Sequence, residues 1–204
     1  MYKNIIFDLG GVMVEWQPQD FLMERFHNAA TEKKVYSLTF GSVEWAALDA
    51  GRITRFAANQ SMLEKGRLAG YGFEVQEVID NWTDMLKTQH RVADVAAKLR
   101  QRGFSLYYLS NIPADVLELL QQRSFWRLFN GGVASCEVDL LKPQPEIYQT
   151  LLKKYSLLPK ECIFIDDNED NVLAAYEQGI TGISMKGDVN GLIRNLGICG
   201  IKLR

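Results

Sequence analysis

The chain has 204 residues, 47% of them hydrophobic and 24% charged, and its formal net charge at pH 7 is −2. This length and balance predict a globular protein with one sizeable core and exclude a disordered or fibrous chain. The slight acidic excess argues against a broad nucleic-acid-binding surface.

Neither a secretion signal nor a membrane span is expected. Asp8 interrupts the apolar run at the start of the chain, and no apolar stretch approaches the ~20 residues that a membrane helix needs. Three widely spaced cysteines, Cys136, Cys162 and Cys199, predict buried thiols rather than a disulfide framework or a zinc site. We therefore expect a cytoplasmic protein that binds neither nucleic acid nor a membrane.

The first element is an apolar run, Ile5-Ile-Phe7, that ends at Asp8 and continues into Gly10-Gly11. The run has no helical period, so it predicts a short buried strand that delivers one acid to the edge of an open α/β sheet. On its own, Asp8 would more often cap a turn. The segments further along the chain favour the functional interpretation.

From Glu15 to about His90, apolar residues recur at helical spacing, which predicts an inserted group of helices. Trp45 and Trp82 fit core positions better than pocket-lining ones. The predicted limits within this segment are a start near Pro18, caps at Thr31 or Ser42, a stop at Gly51, a start at Thr54, a glycine-rich connection over 66–72 and a last helix over 73–85.

Strands and helices alternate again from Val92 onward, which implies parallel crossover units. The expected fold is α/β: a doubly wound parallel sheet with a Rossmann-like core over 1–15 and 91–204, and an inserted α-helical cap over 16–90. The predicted strands are 104–109, 132–135, 162–165 and 180–184, and the predicted helices are 92–102, one that opens at Pro113, 145–155 and 170–178.

Polar residues follow several predicted strands at the point where each strand ends. Asp8, Ser110-Asn111 and Asp166-Asp167 occupy such positions, and Lys142 follows the remaining strand by a few residues. Because the carboxyl ends of parallel strands share one edge of the sheet, these side chains are expected to converge. An isolated lysine in such a loop is usually solvated, but Lys142 is not isolated here.

The Asp166-Asp167 pair has two interpretations. These acids would serve as helix N-caps, a role that Asn168 and Asp170 fill equally well. Two adjacent acids at a buried strand end would repel each other without a cation. We therefore favour a metal site.

Four segments, in order along the chain, resemble the four motifs of the haloacid dehalogenase-like hydrolase superfamily. They are Phe7-Asp-Leu-Gly-Gly-Val12, Leu109-Ser-Asn111, Lys142-Pro-x-Pro-x-Ile-Tyr148 and Phe164-Ile-Asp-Asp-Asn-Glu-Asp-Asn171. The resemblance covers the whole predicted core. The helical segment between the first two motifs is similar to the inserted cap of the phosphatase branch.

The resemblance implies a phosphatase whose nucleophile is Asp8, which forms an aspartyl-phosphate. Ser110 and the amide of Asn111 would bind phosphoryl oxygens. Lys142 would contact the phosphoryl group and neutralise charge on it and on the nucleophile. A small phosphorylated molecule is the implied partner.

The resemblance also implies an Mg²⁺ cofactor, because a hard cation removes the repulsion between a carboxylate nucleophile and a phosphate dianion. Its implied ligands are Asp8, the carbonyl of Gly10, and the paired carboxylates of Asp166 and Asp167.

Gly10 departs from the family pattern, in which phosphatases carry a second acid at this position to protonate the leaving group. Such an acid contributes ~10²–10⁴-fold. Its absence predicts a preference for good leaving groups, such as the anomeric oxygen of a sugar-1-phosphate, unless another acid such as Glu15 substitutes. The cap residues that would set specificity are among Trp16, Phe21, Trp45, Asp49, Arg52 and Arg55.

Three other functions stay open at this point. Gly10 also fits a catalytically silent member that binds a phosphorylated ligand or a protein. A 2-haloacid dehalogenase would use Ser110-Asn111 and Lys142 but needs no divalent cation, which the Asp166-Asp167 pair argues against. A phosphoglucomutase is disfavoured because a mutase needs the acid that Gly10 lacks. The oligomeric state is not predicted.

Overall fold

A computed structural model describes residues 1–203, and Arg204, the last residue of the predicted core, lies outside this range. The sheet within these residues has five strands, all parallel, in the order β3-β2-β1-β4-β5. This arrangement confirms the predicted doubly wound α/β fold. The strands are β1 Asn4–Phe7, β2 Ser105–Ser110, β3 Gly131–Ala134, β4 Cys162–Asp166 and β5 Thr181–Ser184.

Helices connect the strands and build the segment between β1 and β2. Short 3₁₀ turns lie at Trp82–Met85, Ser124–Leu128 and Pro159–Glu161. The α-helices are α1 Pro18–Phe26, α2 Ala29–Leu38, α3 Val43–Asp49, α4 Arg55–Leu68, α5 Gly72–Asn81, α6 His90–Gln101, α7 Ala114–Gln121, α8 Ser135–Val138, α9 Pro145–Lys154, α10 Glu169–Glu177 and α11 Val189–Ile198.

Strand β1 is buried on both faces. Ile5 and Phe7 belong to a cluster that includes residues of α6 and α11, whereas Ile6 belongs to a second cluster with residues of α9 and α10. A parallel strand covered on both sides needs apolar residues at every position. The Ile-Ile-Phe run therefore has no alternation, as the sequence predicts.

The strand order reverses beside β1, which pairs with β2 on one side and with β4 on the other. Open α/β sheets bind ligands outside the carboxyl ends of the strands at such a switch point. The amide of Asp8 donates to the carbonyl of Ile165, at 2.8 Å. The end of β1 is thereby fixed against the end of β4.

The segment with helices α1 to α5 leaves and rejoins the sheet through two adjacent connections. Val14 forms an antiparallel bridge with Thr88, and the amide of Glu15 donates to the carbonyl of Lys87 at 2.8 Å. Ser42 caps α3 and Thr54 caps α4, both as predicted. The division into a core and a separate cap stays a prediction.

Two predictions within this segment are wrong. Helix α2 is capped by Asn28, whose side chain accepts from the amide of Thr31, so Thr31 is the residue that is capped. The connection predicted at 66–72 spans only 69–71, because Gly66 lies inside α4 and Gly72 begins α5. A β-carbon at Gly66 would lie 2.8 Å from Cγ2 of Val75, so this glycine serves the close contact between α4 and α5.

Helix α11 is an element that the sequence analysis did not predict. Its apolar residues Val189, Leu192 and Leu196 are buried. Among the cysteines, Cys162 is buried, and Cys136 and Cys199 are half-buried. Within residues 1–203, no helix is long and apolar enough to cross a membrane.

Candidate active site

A buried ammonium group joins two carboxylates at the carboxyl edge of the sheet. The Nζ atom of Lys142 lies 3.0 Å from Oδ1 of Asp8 and 2.6 Å from Oδ2 of Asp166. The Lys142 side chain is only 1% exposed. Such a lysine is stable in this environment because its charge is paired. The structure thus brings Asp8, Asp166 and Lys142 together.

Asn171 contributes to the same network, a role that the sequence analysis did not assign. Its Nδ2 atom donates to both carboxyl oxygens of Asp166, at 3.1 and 3.2 Å, and the amide of Asn168 donates to Oδ1. The sequence signal for this role is the position of Asn171, which ends the fourth motif and lies one helical turn beyond the acid pair. Asn168 itself caps α10, so Asp166 and Asp167 are not needed as caps.

Asn111 positions the backbone of Lys142. Its side chain accepts from the Lys142 amide at 2.8 Å and donates to the Lys142 carbonyl at 2.9 Å. The motif predicts a role for the backbone amide of Asn111 only, and the side-chain role appears in the structure. Ser110, at the end of β2, is 1% exposed and lines the same cavity as Asp8.

Asp8, Asp166 and Asp167 form a cluster whose ligand oxygens lie within 4.8 Å of one another. Gly11 makes room for it. Its φ is +75°, and a β-carbon there would lie 2.3 Å from Oδ2 of Asp167. Three carboxyl groups at this spacing match the oxygen ligands that Mg²⁺ prefers, so the residues fit such a cation.

Electrostatics in this network are set by burial and by mutual repulsion. Burial raises the pKa of Asp8, Lys142 opposes the rise and Asp166 adds to it. Burial also raises the pKa of Asp167, and Asp166 again adds to the rise. Burial lowers the pKa of Lys142, but the carboxylates of Asp8 and Asp166 outweigh it and leave the pKa above its usual value. Lys142 therefore stays charged.

The backbone conformation does not require a glycine at position 10. A β-carbon at this position would lie 3.7 Å from Cβ of Trp16, an ordinary van der Waals contact, and Gly10 does not have a positive φ. The absence of an acid in the first motif is therefore not a consequence of crowding. A β-carbon at position 10 would fit beside the cavity, which Gly10 lines.

A cavity of about 230 Å³ opens above Asp8, Ser110 and Lys142. The helical segment contributes Trp16, Trp45, Asp49 and Trp82 to its wall. Trp45 and Trp82 are also buried, so they are both core and pocket residues. The remaining lining residues are Gly10, Val14, Leu86, Asn111, Ile112, Pro113, Val116, Leu120, Asp167, Asn168 and Asn171.

The other cap candidates lie outside this wall. Arg52 pairs with Asp139 at 2.6 Å, and Arg55 pairs with Asp115 at 2.8 Å. Phe21 lines a different cavity. Glu15, the suggested substitute acid, lines two neighbouring cavities, one of which includes Trp16 and Asp167.

Comparison with known proteins identifies the family. A family model described as a haloacid dehalogenase-like hydrolase matches residues 2–179. A sesquiterpene phosphatase from Aspergillus oryzae is 28% identical over 186 residues, which is 90% of each chain. A D-ribitol-5-phosphate phosphatase from Bacteroides thetaiotaomicron is 27% identical over 88% of this chain and 89% of its own. Several longer curated relatives match over only 32–39% of their own length.

The fold is similar to that of a HAD family enzyme from Bacteroides thetaiotaomicron, solved in complex with magnesium and inorganic phosphate. The TM-score is 0.72 at 24% identity, over 95% of this chain and 100% of that one. The family match covers all four motifs, from Asp8 to Asn171. On this evidence the chain belongs to the haloacid dehalogenase-like hydrolases.

Proposed function

We propose that this chain is an Mg²⁺-dependent phosphomonoesterase that hydrolyses a small phosphorylated metabolite through an aspartyl-phosphate on Asp8. The observation that carries the proposal is one cavity lined by Asp8, Lys142 and Asp167, with the Asp8 carboxylate 3.0 Å from the Lys142 ammonium. Two relatives that this chain matches over about nine tenths of their length are named as phosphatases. Their names support the reaction class.

In this proposal one carboxyl oxygen of Asp8 attacks phosphorus and the ester oxygen departs. Lys142 neutralises negative charge on the nucleophile and on the transferring group. The Ser110 hydroxyl and the Asn111 amide donate hydrogen bonds to phosphoryl oxygens. The Asn111 side chain holds Lys142 in place through the two hydrogen bonds to the lysine backbone.

The residues that would hold Mg²⁺ are Asp8, Asp166, Asp167 and the carbonyl of Gly10. Asp167 is the most available of the side chains, because both Asp166 oxygens already accept hydrogen bonds from Lys142 or Asn171. When bound, the cation supplies positive charge between the nucleophile and the phosphate. The magnesium in the similar enzyme structure is consistent with this choice of metal.

The cavity supports a small substrate. Its volume of about 230 Å³ lies below the ~300–1,000 Å³ of pockets for drug-sized ligands. Trp16, Trp45 and Trp82 give the wall apolar surface against which a sugar ring can pack, and Asp49 gives it a hydrogen-bonding group. We propose a sugar phosphate, with a sugar-1-phosphate first, because the anomeric oxygen is a good leaving group.

Release of inorganic phosphate tests this function. We expect hydrolysis of p-nitrophenyl phosphate and of at least one sugar phosphate in Mg²⁺, and loss of both in EDTA. Asp8→Asn keeps the shape of the side chain and removes the nucleophile, so turnover should fall to background. Asp94→Asn, an exposed position on α6, is the matched control and should retain wild-type turnover.

Three outcomes separate the alternatives. No phosphate release from any ester would favour a silent member that binds a ligand. Chloride release from 2-chloropropionate in EDTA would favour a dehalogenase. Wild-type turnover in Asp8→Asn would refute Asp8 as the nucleophile.

A further inference from the structure

We infer that Asp49, at the end of α3, is the general acid and base of this active site and takes the role that Gly10 lacks. The inference rests on the proposed phosphatase function. In the first step, Asp8 forms a bond to phosphorus, the bond between phosphorus and the ester oxygen breaks, and the electron pair stays on that oxygen. The oxygen takes the proton of the Asp49 carboxyl and leaves as an alcohol.

The second step returns the proton. A water molecule attacks the phosphorus of the aspartyl-phosphate and gives one proton to the Asp49 carboxylate. The bond between phosphorus and Asp8 breaks, and its electron pair restores the Asp8 carboxylate. The products are inorganic phosphate, free Asp8 and protonated Asp49, so the cycle is balanced.

Asp49 lines the same cavity as Asp8. Among the described residues that line the cavity, the carboxyl groups are those of Asp8, Asp49 and Asp167. Asp8 is the proposed nucleophile, and Asp167 belongs to the cluster that fits a cation. Asp49 is the remaining carboxyl group, and it belongs to the helical segment rather than to the strand ends.

The Asp49 carboxyl group is not engaged by any described side chain. Arg55, the cation whose charge acts on Asp49, uses Nε and Nη2 to bind both carboxyl oxygens of Asp115, at 2.8 and 3.3 Å. Its guanidinium carbon also lies 4.9 Å from the ring centre of Trp45 and 4.8 Å from that of Trp82. The charges of Arg55, Asp115 and Asp8 act on Asp49, but within residues 1–203 its carboxyl group accepts no side-chain hydrogen bond. Such a group is free to exchange a proton with a substrate.

The charge state fits an acid. Burial raises the pKa of Asp49 to about 7, the Arg55 charge opposes the rise, and Asp115 and Asp8 add to it. A general acid is most effective when its pKa lies near the working pH. At neutral pH both forms of Asp49 are then populated, as a group that donates and regains a proton requires.

The backbone of Asp49 is held against helix α8. The Ser135 hydroxyl donates to the Asp49 carbonyl. Two residues on, Gly51 has a φ of +72°, and a β-carbon there would lie 2.4 Å from the carbonyl oxygen of Cys136. The salt bridge between Arg52 and Asp139 lies at the same contact. The acid is thereby fixed over the cavity.

The test compares two esters of similar size, p-nitrophenyl phosphate and benzyl phosphate, in Mg²⁺. A nitrophenolate leaves without a proton, whereas benzyl alcohol needs one. We expect Asp49→Asn to lower kcat/KM for benzyl phosphate by ~10²–10⁴-fold and kcat/KM for p-nitrophenyl phosphate by less than ~10-fold. Because the second step also loses its base, the variant should release a burst of one p-nitrophenol per enzyme before slow turnover.

Two variants control this experiment. Asp139→Asn breaks the neighbouring salt bridge with Arg52 without touching the cavity, and it should lower both kcat/KM values by the same small factor. Gly10→Asp, which has room for its β-carbon, should restore benzyl phosphate hydrolysis in the Asp49→Asn background. In the wild-type background it should add less than ~10-fold, because an acid is already present.

Each remaining outcome has a defined meaning. Equal losses on both esters in Asp49→Asn, or no loss on either, would overturn the role of Asp49. A large gain from Gly10→Asp in the wild type would also overturn it, and this result does not depend on the folding of Asp49→Asn. Failure of the wild type on both esters would instead overturn the proposed phosphatase function. If Asp49 supplies the proton, the position of the phosphate on a sugar is no longer limited by leaving-group acidity.

Discussion

The ammonium group of Lys142 lies 2.6 Å from a carboxyl oxygen of Asp166, and neither side chain is more than 1% exposed. Removal of one partner from a buried ion pair leaves an uncompensated charge, which costs about 3–5 kcal/mol. Here the Lys142 charge also compensates Asp8, 3.0 Å away. The pair therefore affects both the stability of the fold and the charge of the proposed nucleophile.

Lys142→Met should lower the free energy of unfolding by about 3–5 kcal/mol in EDTA at pH 8. The loss should shrink at lower pH, because protonation of the carboxyl groups removes their repulsion. Urea denaturation at several pH values measures both effects. The matched control is Lys186→Met, which breaks the exposed pair between Lys186 and Glu169 and should leave the free energy of unfolding nearly unchanged, because exposed ion pairs contribute little. A pH-independent loss in Lys142→Met would contradict the electrostatic explanation.

Gly11→Ala should weaken Mg²⁺ binding, because its β-carbon would lie 2.3 Å from Oδ2 of Asp167. Isothermal titration with Mg²⁺ measures the effect. Gly70→Ala is the matched control, since Gly70 has a similar φ of +81° and nothing within 4 Å of its β-carbon. Both variants carry the strain of a positive φ, so the difference between them reports the crowding of Asp167. Equal Mg²⁺ affinities would show that Asp167 is not a ligand.

Asn111→Ala should lower kcat/KM by up to ~10²-fold, because a misplaced catalytic group costs about that much. The variant loses both hydrogen bonds that hold the Lys142 backbone. Phosphate release from p-nitrophenyl phosphate measures the loss. Asn130→Ala is the control, since Asn130 also bonds a backbone amide, that of Leu106, but at the opposite end of β2. If both variants lose activity equally, Asn111 has only a structural role.

Asp49→Asn should change how stability depends on pH. The folded-state pKa of Asp49 is about 7, above the ordinary value of 3.8, so between these values the folded protein retains a proton that the unfolded chain releases. Wild-type stability therefore falls from pH 4 to pH 7 through this group and is constant above pH 7. The variant lacks this loss, so its stability relative to the wild type should rise over that interval.

Urea denaturation of the two proteins in EDTA, at intervals between pH 4.5 and pH 8.5, tests this sign. The contributions of groups that do not interact with Asp49 cancel in the difference between them. A difference that stays constant with pH would mean that the Asp49 carboxyl group is not buried enough to titrate abnormally.

The sequence by itself determined the sheet and the residues at its carboxyl edge. Ile5-Ile-Phe7 has no alternation because β1 is covered on both faces, and each polar group at a strand end follows a local apolar run. Parallel crossovers then bring Asp8, Ser110 and Asp166 to one edge of the sheet, independently of the conformation of the loops. Local pattern and a general topological rule were sufficient for this part.

Only the tertiary structure decided which charges are engaged and which are free. The partners of Lys142 are 134 and 24 positions away along the chain, and pairing over such distances has no local signal. The same holds for Gly66, whose role depends on Val75 in the next helix, and for Asp49. Its importance follows from a cavity shared with Asp8 and from an arginine already bound to Asp115, because packing between distant segments sets both burial and charge.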